Sequence, residues 1–469
     1  MSNYESCSIK IRNIQTACLV IIGIIETYTM VLEKSIDLSF IFLKWFAVVA
    51  LIFLLASFCR PVSKQGIKFL LFGLLFSLTY LLVYGSGRGF YPFFCEYMML
   101  LPYAALSHEK EKGTGLKIFA GFYAFTLAVM SVLAVFQCLN RIPYVLQPLY
   151  LQPGFFWERD FYLQLFWHPN VLGAIFMLGT GMTVALACST KHLWSKITLA
   201  LLAAVGYLFT SLTYCRTAII LTAFIISGVV FFLIYRDNKS AKRILLALLA
   251  AAATMSVLLY AYSFIFKVHV NYQRQIRTET EEITETVDDS STKKSHPAGE
   301  SDSENKEKSS GAEHDVFGDL YEGLHGFTER DRIWKSAFKG IAENPKVLFT
   351  GVDDIPGFIN GRYGIRSKAH AHNSWIQMLL SMGIWGFAFT VVISFLAIKN
   401  SFLLLFRKKS TMFQKSICLF TLAVMGLGFF EIYLFGEYYP VNFVNAVYLL
   451  CTGYVTVWAK EPENEARLR

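Results

Sequence analysis

The chain has 469 residues, of which 55% are hydrophobic and only 16% charged, with a mean hydropathy of +0.45. Soluble domains carry roughly 25% charged residues, so this composition excludes one and indicates a polytopic membrane protein. The formal net charge of +9 then reports where basic residues lie across membrane loops, and it does not call for a nucleic-acid partner.

At roughly 20 residues per crossing, the hydropathy predicts about twelve spans in an all-α transmembrane helix bundle. In chain order they are Ile14 to Val31, Phe40 to Phe58, Ile67 to Tyr84, Tyr91 to Leu106, Leu116 to Leu139, Val171 to Ala187, Ile197 to Leu212, Thr217 to Tyr235, Ile244 to Phe266, Ser374 to Ile398, Ser416 to Tyr433 and Val441 to Trp458. Lys10 and Arg12 precede the first span, but Glu26 lies within it and no small-residue cleavage pattern follows, so it reads as a retained anchor. The SFLLLF run between Lys399 and Arg407 is too short to cross and is expected at the inner interface. No internal repeat is visible.

The positive-inside rule orients this layout. With both termini in the cytoplasm, the basic clusters at Arg236 to Arg243 and Arg407 to Lys409 fall inside, and the short outer connections hold few basic residues. The organisation expected is a transmembrane region over 1–266, a large extracytoplasmic loop over 267–373 between spans nine and ten, a second transmembrane region over 374–458 and a cytoplasmic tail over 459–469. Of the nine cysteines, none lies between Cys215 and Cys418, so the large loop has no disulfide framework.

That loop divides in two. Residues 279–313 are acidic and Ser-rich with almost no large apolar side chain, which predicts a disordered tether. Residues 328–343 have helical periodicity. Ile333, Trp334, Ala337, Phe338 and Ile341 gather on one face, Arg332, Lys335 and Lys339 on the other, and Arg330 falls in the middle of the apolar face. Thr328 with Asp331 three residues on resembles a capping box that opens this helix, and Asn344 with Pro345 closes it. A second outer loop, from Asn140 to Asn170, is rich in Pro and aromatics suited to the headgroup level.

Arg330, placed on an apolar face, needs an anion, an acidic partner or a lipid headgroup. Arg216 opens a span, where a helix N-terminus adds its own attraction for an anion; a snorkelling arginine is the plainer reading. His372 stands directly before Asn373 and Ser374, both natural caps for the next span. A histidine, with an unperturbed pKa of about 6.5, can take a proton from a sugar hydroxyl, and an incidental place in a capping turn is the alternative. His370 and His372 lack the i, i+4 spacing of a helical zinc pair, and no metal site is expected. Asp353 and Asp354 lie on the outer side, away from cytoplasmic nucleotide-sugar donors, and the GSGRG turn lacks the Gly-Lys-Ser/Thr of a phosphate loop. Arg159 and His168 are further candidate donors, although local ion pairs in an interfacial loop explain them as well.

Three blocks stand in a fixed order: HPNVLG from His168 to Gly173, LTYCRTA from Leu212 to Ala218, and then RDRIW, NPKVLFTG and HNSWIQMLLSMGIWG. On these blocks the chain resembles the O-antigen ligase and O-antigen polymerase superfamily of bacterial envelope-glycan enzymes. The resemblance implies a multi-pass protein of the bacterial cytoplasmic membrane that needs no cofactor. It implies transfer of a glycan from a polyprenyl (undecaprenyl) diphosphate carrier to a hydroxyl of a second glycan or glycolipid, outside the membrane. It also implies that Arg216 and Arg330 bind the diphosphate and that His372 serves transfer; Asn373 is a candidate additional site residue beside Arg159 and His168, and other polysaccharide-assembly proteins are candidate partners. Cys215 departs from the small polar residue usual before the arginine, and Gly351-Val352-Asp353 from the usual Gly-x-Gly turn. The expected activity is a surface-polysaccharide polymerase, with an O-antigen-type ligase as the alternative. A lipid-linked oligosaccharide flippase fits less well, because a transporter places charges in mid-span along a cavity.

Overall fold

A computed structural model of the protein describes residues 2–32, 39–59, 62–84, 90–107, 113–139, 169–235, 240–288, 327–360, 370–435 and 442–460. Among them every regular element is a helix, as the all-α reading expects. The bundle begins with α1 (Ser2–Leu32), α2 (Ser39–Phe58), α3 (Lys64–Tyr84), α4 (Phe90–Met99), α5 (Tyr103–Leu106) and α6 (Thr114–Leu139). It continues with α7 (Pro169–Ser189), α8 (Leu193–Leu212), α9 (Arg216–Tyr235) and α10 (Ala241–Asp288). After α10 come α11 (Phe327–Glu343), α12 (Val347–Thr350) and α13 (Ile355–Asn360), and then α14 (Ser374–Leu405), α15 (Met412–Phe430) and α16 (Asn442–Lys460).

All twelve expected spans are helical, and nine helices among the described residues are long and apolar enough to cross a membrane. The other three depart for identifiable reasons. In α2 the described apolar stretch is the shorter Trp45–Phe58. The fourth span is a broken pair, because Pro102 lacks the N–H needed to continue the ladder and α5 starts only after it. In α16, residues 443–457 are buried without interruption. A helix enclosed by other helices need not match lipid, and α16 accordingly carries Asn445, Thr452 and Thr456.

The core is built where α7 packs on α6, α8, α9 and α15, and where α15 packs in turn on α9, α14 and α16. Polar side chains lock neighbouring helices. Tyr123 donates its hydroxyl to Phe443 O at 2.7 Å, and Asn400 Nδ2 donates to Thr456 Oγ1 at 3.0 Å. Arg407 gives Nη1 to Trp458 O and Nη2 to Ala459 O, at 2.9 and 2.7 Å, closing the last turn of α16. By contrast, among the described residues α10 packs mainly on α9 and α8, and almost none of its apolar stretch is buried.

Three sequence expectations need correction. Residues 279–288, read as the start of a disordered tether, continue α10 as helix; residues 289–313 lie outside the described residues. Thr328 is not an N-cap, because α11 already includes Phe327. The SFLLLF run is no separate interfacial segment but the end of α14, where Ser401, Leu404 and Leu405 are buried while Phe402, Leu403 and Phe406 face outward.

The described residues between α10 and α14, 327–360 and 370–373, form a small cap on the bundle. Ile333 and Ala337 of α11, Ile355 and Ile359 of α13, Ala371 and Leu380 share one buried cluster. Trp334 Nε1 donates to Ala371 O at 2.9 Å and Ser336 Oγ to Ile359 O at 2.8 Å. The helical face read from sequence is therefore the buried one, with two amendments: Phe338 is exposed, and Ser336 is fully buried. The cap is joined to the bundle through backbone. Gly383 bends α14 with φ 64°, and Val352 N donates to Leu380 O at 2.7 Å. Gly351, at φ 71°, lies so close that a Cβ there would stand 2.0 Å from Ser381 O. Only glycine fits such a contact in this conformation.

Candidate functional site

Four segments distant in sequence meet at the end of the bundle that carries the cap, and they meet on a residue that hydropathy hid inside a span. Glu431 directly follows α15 and has a side chain only 5% exposed. Its Oε1 accepts from Arg330 Nη2 and from Asn170 Nδ2, each at 3.1 Å, and its Oε2 lies 3.3 Å from His372 Nδ1. Arg330 and His372 are both partly exposed, at 26% and 23%, so the cluster is buried on the carboxylate side and open on the other. The Arg330 guanidinium also stands over the Phe430 ring, 5.8 Å from its centroid.

Each partner is fixed by the element that carries it. Arg330 is in the first turns of α11, oriented by Ile333 and Trp334 in the cap core. Asn170 is in the first turn of α7. His372 precedes the N-cap of α14, where Asn373 Oδ1 accepts from Trp375 N at 2.9 Å and Ile376 N at 3.0 Å. The Asn373 amide also donates to Phe429 O at 3.0 Å, so its oxygen and nitrogen both serve the fold, as the capping reading of that residue expects. Ser374 ties the same turn to the end of α15, giving Oγ to Glu431 O at 2.9 Å and accepting from Leu434 N at 3.0 Å. The His370 ring lies against His372, tilted by 54° with centroids 4.0 Å apart.

Arg216, the first residue of α9, follows Cys215, which lies close to this cluster. Its Nη2 donates to Tyr214 OH at 2.9 Å and its guanidinium lies 5.1 Å from the centre of that ring. The neighbouring Cys215 is buried close to the charges of the cluster. Burial pushes its thiol up to about 12, and Glu431 and Arg330 act on it in opposite directions. This turn reaches α7 at Gly173, where a Cβ would sit 2.5 Å from Cys215 Cβ and 2.9 Å from Thr213 Oγ1. The first and second sequence blocks are thus in direct contact, which explains a small residue at position 173.

Backbone strain follows the same map. Among the described residues the non-glycine positions with positive φ are Tyr214 at 55°, His372 at 51° and Phe435 at 62°. They lie two residues before Arg216, at His372 itself and four residues after Glu431. Such conformations cost about 1–3 kcal/mol each and persist where the surrounding structure enforces them.

Of the residues singled out from sequence, Arg330 and His372 are therefore brought together, Arg216 lies on an adjacent turn, and Asn373 supports the backbone. Arg159 and His168 lie outside the described residues. Glu431 and Asn170 were missed. Glu431 reads locally as one carboxylate at the end of an apolar run; the usable signal is that a charge there, next to an aromatic-rich turn, requires a cationic partner. Among the described residues no three His, Cys, Asp or Glu side chains are grouped as a metal site.

Residues 198–391 match the family model described as O-antigen ligase. That match supports the O-antigen ligase and polymerase superfamily. Arg216, Arg330 and His372 fall inside the matched region, whereas Asn170 and Glu431 flank it. The match supports a ligase or polymerase type of activity and a membrane setting with a lipid-linked glycan donor. No curated protein and no solved structure matches the chain.

Proposed function

We propose that the protein is a glycosyltransferase of the bacterial cytoplasmic membrane. It takes a glycan from a polyprenyl diphosphate carrier and joins it to an acceptor hydroxyl on the outer side, without a metal ion. The observation that carries this reading is the Arg330, Glu431 and His372 cluster at the open rim of the bundle, with Arg216 on the next turn. In the reaction, the bond from the anomeric carbon to the diphosphate oxygen breaks and the acceptor oxygen bonds to that carbon. The acceptor's proton passes to His372, and the carrier diphosphate leaves. Arginine forks suit the charge that develops on the leaving diphosphate. With Nδ1 facing Glu431, it is Nε2 of His372 that accepts the proton.

The activity we favour is polymerase: a growing chain is moved onto the next lipid-linked repeat unit. A ligase, joining the glycan to a different lipid or envelope acceptor, is the second reading and is favoured by the description of the matching family. Deleting the gene separates them. Accumulation of single repeat units on the carrier supports the polymerase, accumulation of full-length chains supports the ligase, and an unchanged pool of lipid-linked glycans refutes both. The orientation is tested by placing a cysteine at position 300 after removing the native thiols. Labelling of intact cells is expected, and labelling only after permeabilisation would refute an outer site.

A further inference from the structure

Glu431 receives every polar side chain of the cluster, and the reaction above gives it no task. We infer that its carboxylate is a resident counter-anion which a donor diphosphate displaces from Arg330, so that its charge passes to His372 and donor binding readies the proton acceptor. This rests on the reading of Arg330 as a diphosphate ligand and of His372 as the base.

Three observations support the exchange. First, a carboxylate only 5% exposed cannot be left without partners, and in the donor-free protein Arg330 is its cationic one, through a single nitrogen at 3.1 Å. The remaining N–H groups of a 26% exposed guanidinium stay within reach of a second anion. Second, the exchange leaves no orphan, because Asn170 Nδ2 at 3.1 Å continues to hold Oε1 when Arg330 turns to the diphosphate. Third, the carboxylate does not follow Arg330, because Ser374 fixes the Glu431 backbone and Oε2 already faces His372 Nδ1 at 3.3 Å.

Among the described residues, the other titratable groups beside it include Cys215 and Tyr433, both raised by burial and so neutral, and His370, whose ring lies against His372. Among the described residues, the exchange of charge is thus between Arg330, Glu431 and His372. When the acceptor's proton reaches Nε2, the imidazolium that forms keeps its Nδ1–H on a carboxylate no longer shared with arginine. Such a carboxylate stabilises the charge and fixes the tautomer. Glu431 is thus a positioning residue, and it opposes donor binding while assisting transfer.

The opposed signs make the test. Binding of farnesyl diphosphate and of inorganic pyrophosphate is measured on full-length protein in lipid nanodiscs, alongside single-turnover transfer. E431Q keeps shape and removes charge; it is expected to tighten diphosphate binding by about fivefold or more while lowering the transfer rate by about a hundredfold. R330A should weaken binding, and E431Q placed in the R330A background should no longer change it. If E431Q weakens binding or leaves it unchanged while R330A weakens it, the counter-anion role is overturned and the donor site stands. If R330A leaves binding unaltered, the donor site itself falls. Tighter binding with unimpaired transfer would overturn the link to His372. Should E431Q not fold, the wild-type protein provides the reading: the Nδ1–H resonance of His372, assigned with H372A, should move downfield on adding pyrophosphate, and a static resonance refutes the proposal.

Discussion

The cap and the rim of the bundle contribute to the same site on unequal foundations. Asn170, Arg216 and Glu431 stand at the ends of long helices whose burial fixes them. Arg330 and His372 belong to a cap whose core has five buried residues of its own, packed on Leu380 of α14, and which joins α14 through the Gly351 and Gly383 contact. A core that small contributes little stability alone, so the cap depends on docking. The distance between arginine and carboxylate is accordingly a property of the junction, and the chemistry can be lost without unfolding the bundle.

The largest effects are expected where cap and rim meet. H372A should lower transfer by at least about a hundredfold, because the proposed proton acceptor is lost, while diphosphate affinity stays near wild type. Loss of affinity in proportion to activity would show that the histidine holds the donor instead. R330K and R216K keep charge but lose the fork, and each should reduce transfer by at least about tenfold at normal expression. Full activity of R330K would mean that a point charge suffices on the cap side.

Next comes the junction. In G351A a Cβ would stand 2.0 Å from Ser381 O at a φ of 71°, so the cap should undock at a cost of about 1–3 kcal/mol. Limited proteolysis should then cut the cap region faster while the spans resist. Wild-type protection together with wild-type transfer would refute dependence on docking. Removal of Pro297 to Ser310 should leave measurable transfer, since that segment lacks the apolar content to hold a site; complete inactivity of a stably expressed deletion would show that it has a role in the site.

The smallest effects are expected on the outer face of α11. Lys335 and Lys339 are well exposed and paired at i, i+4 with Asp331 at 2.6 Å and Glu343 at 3.9 Å. K339A and R332A should each change stability by no more than about 0.5 kcal/mol and leave transfer near wild type. A loss in R332A equal to that in R330A would break the division between faces.

Much of this was legible in the chain, because hydropathy, helical period and capping act over a few residues. They determined the all-α bundle, the Asn373 cap, the apolar face of α11 and the separation of Arg330 from Arg332. The blocks around residues 170, 216, 330 and 372 could be read in order but not joined, since nothing local says that Gly173 packs on Cys215. Tertiary structure alone decided that Glu431 is the meeting point. A carboxylate at the end of an apolar helix has no local partner, and the side chains that meet it lie 261, 101 and 59 residues away. The bend at Gly383 was likewise invisible, because glycine is permitted in a straight helix and only the approach of Gly351 requires it. Local forces wrote the helices, whereas burial of one charge required the rest of the chain to come to it.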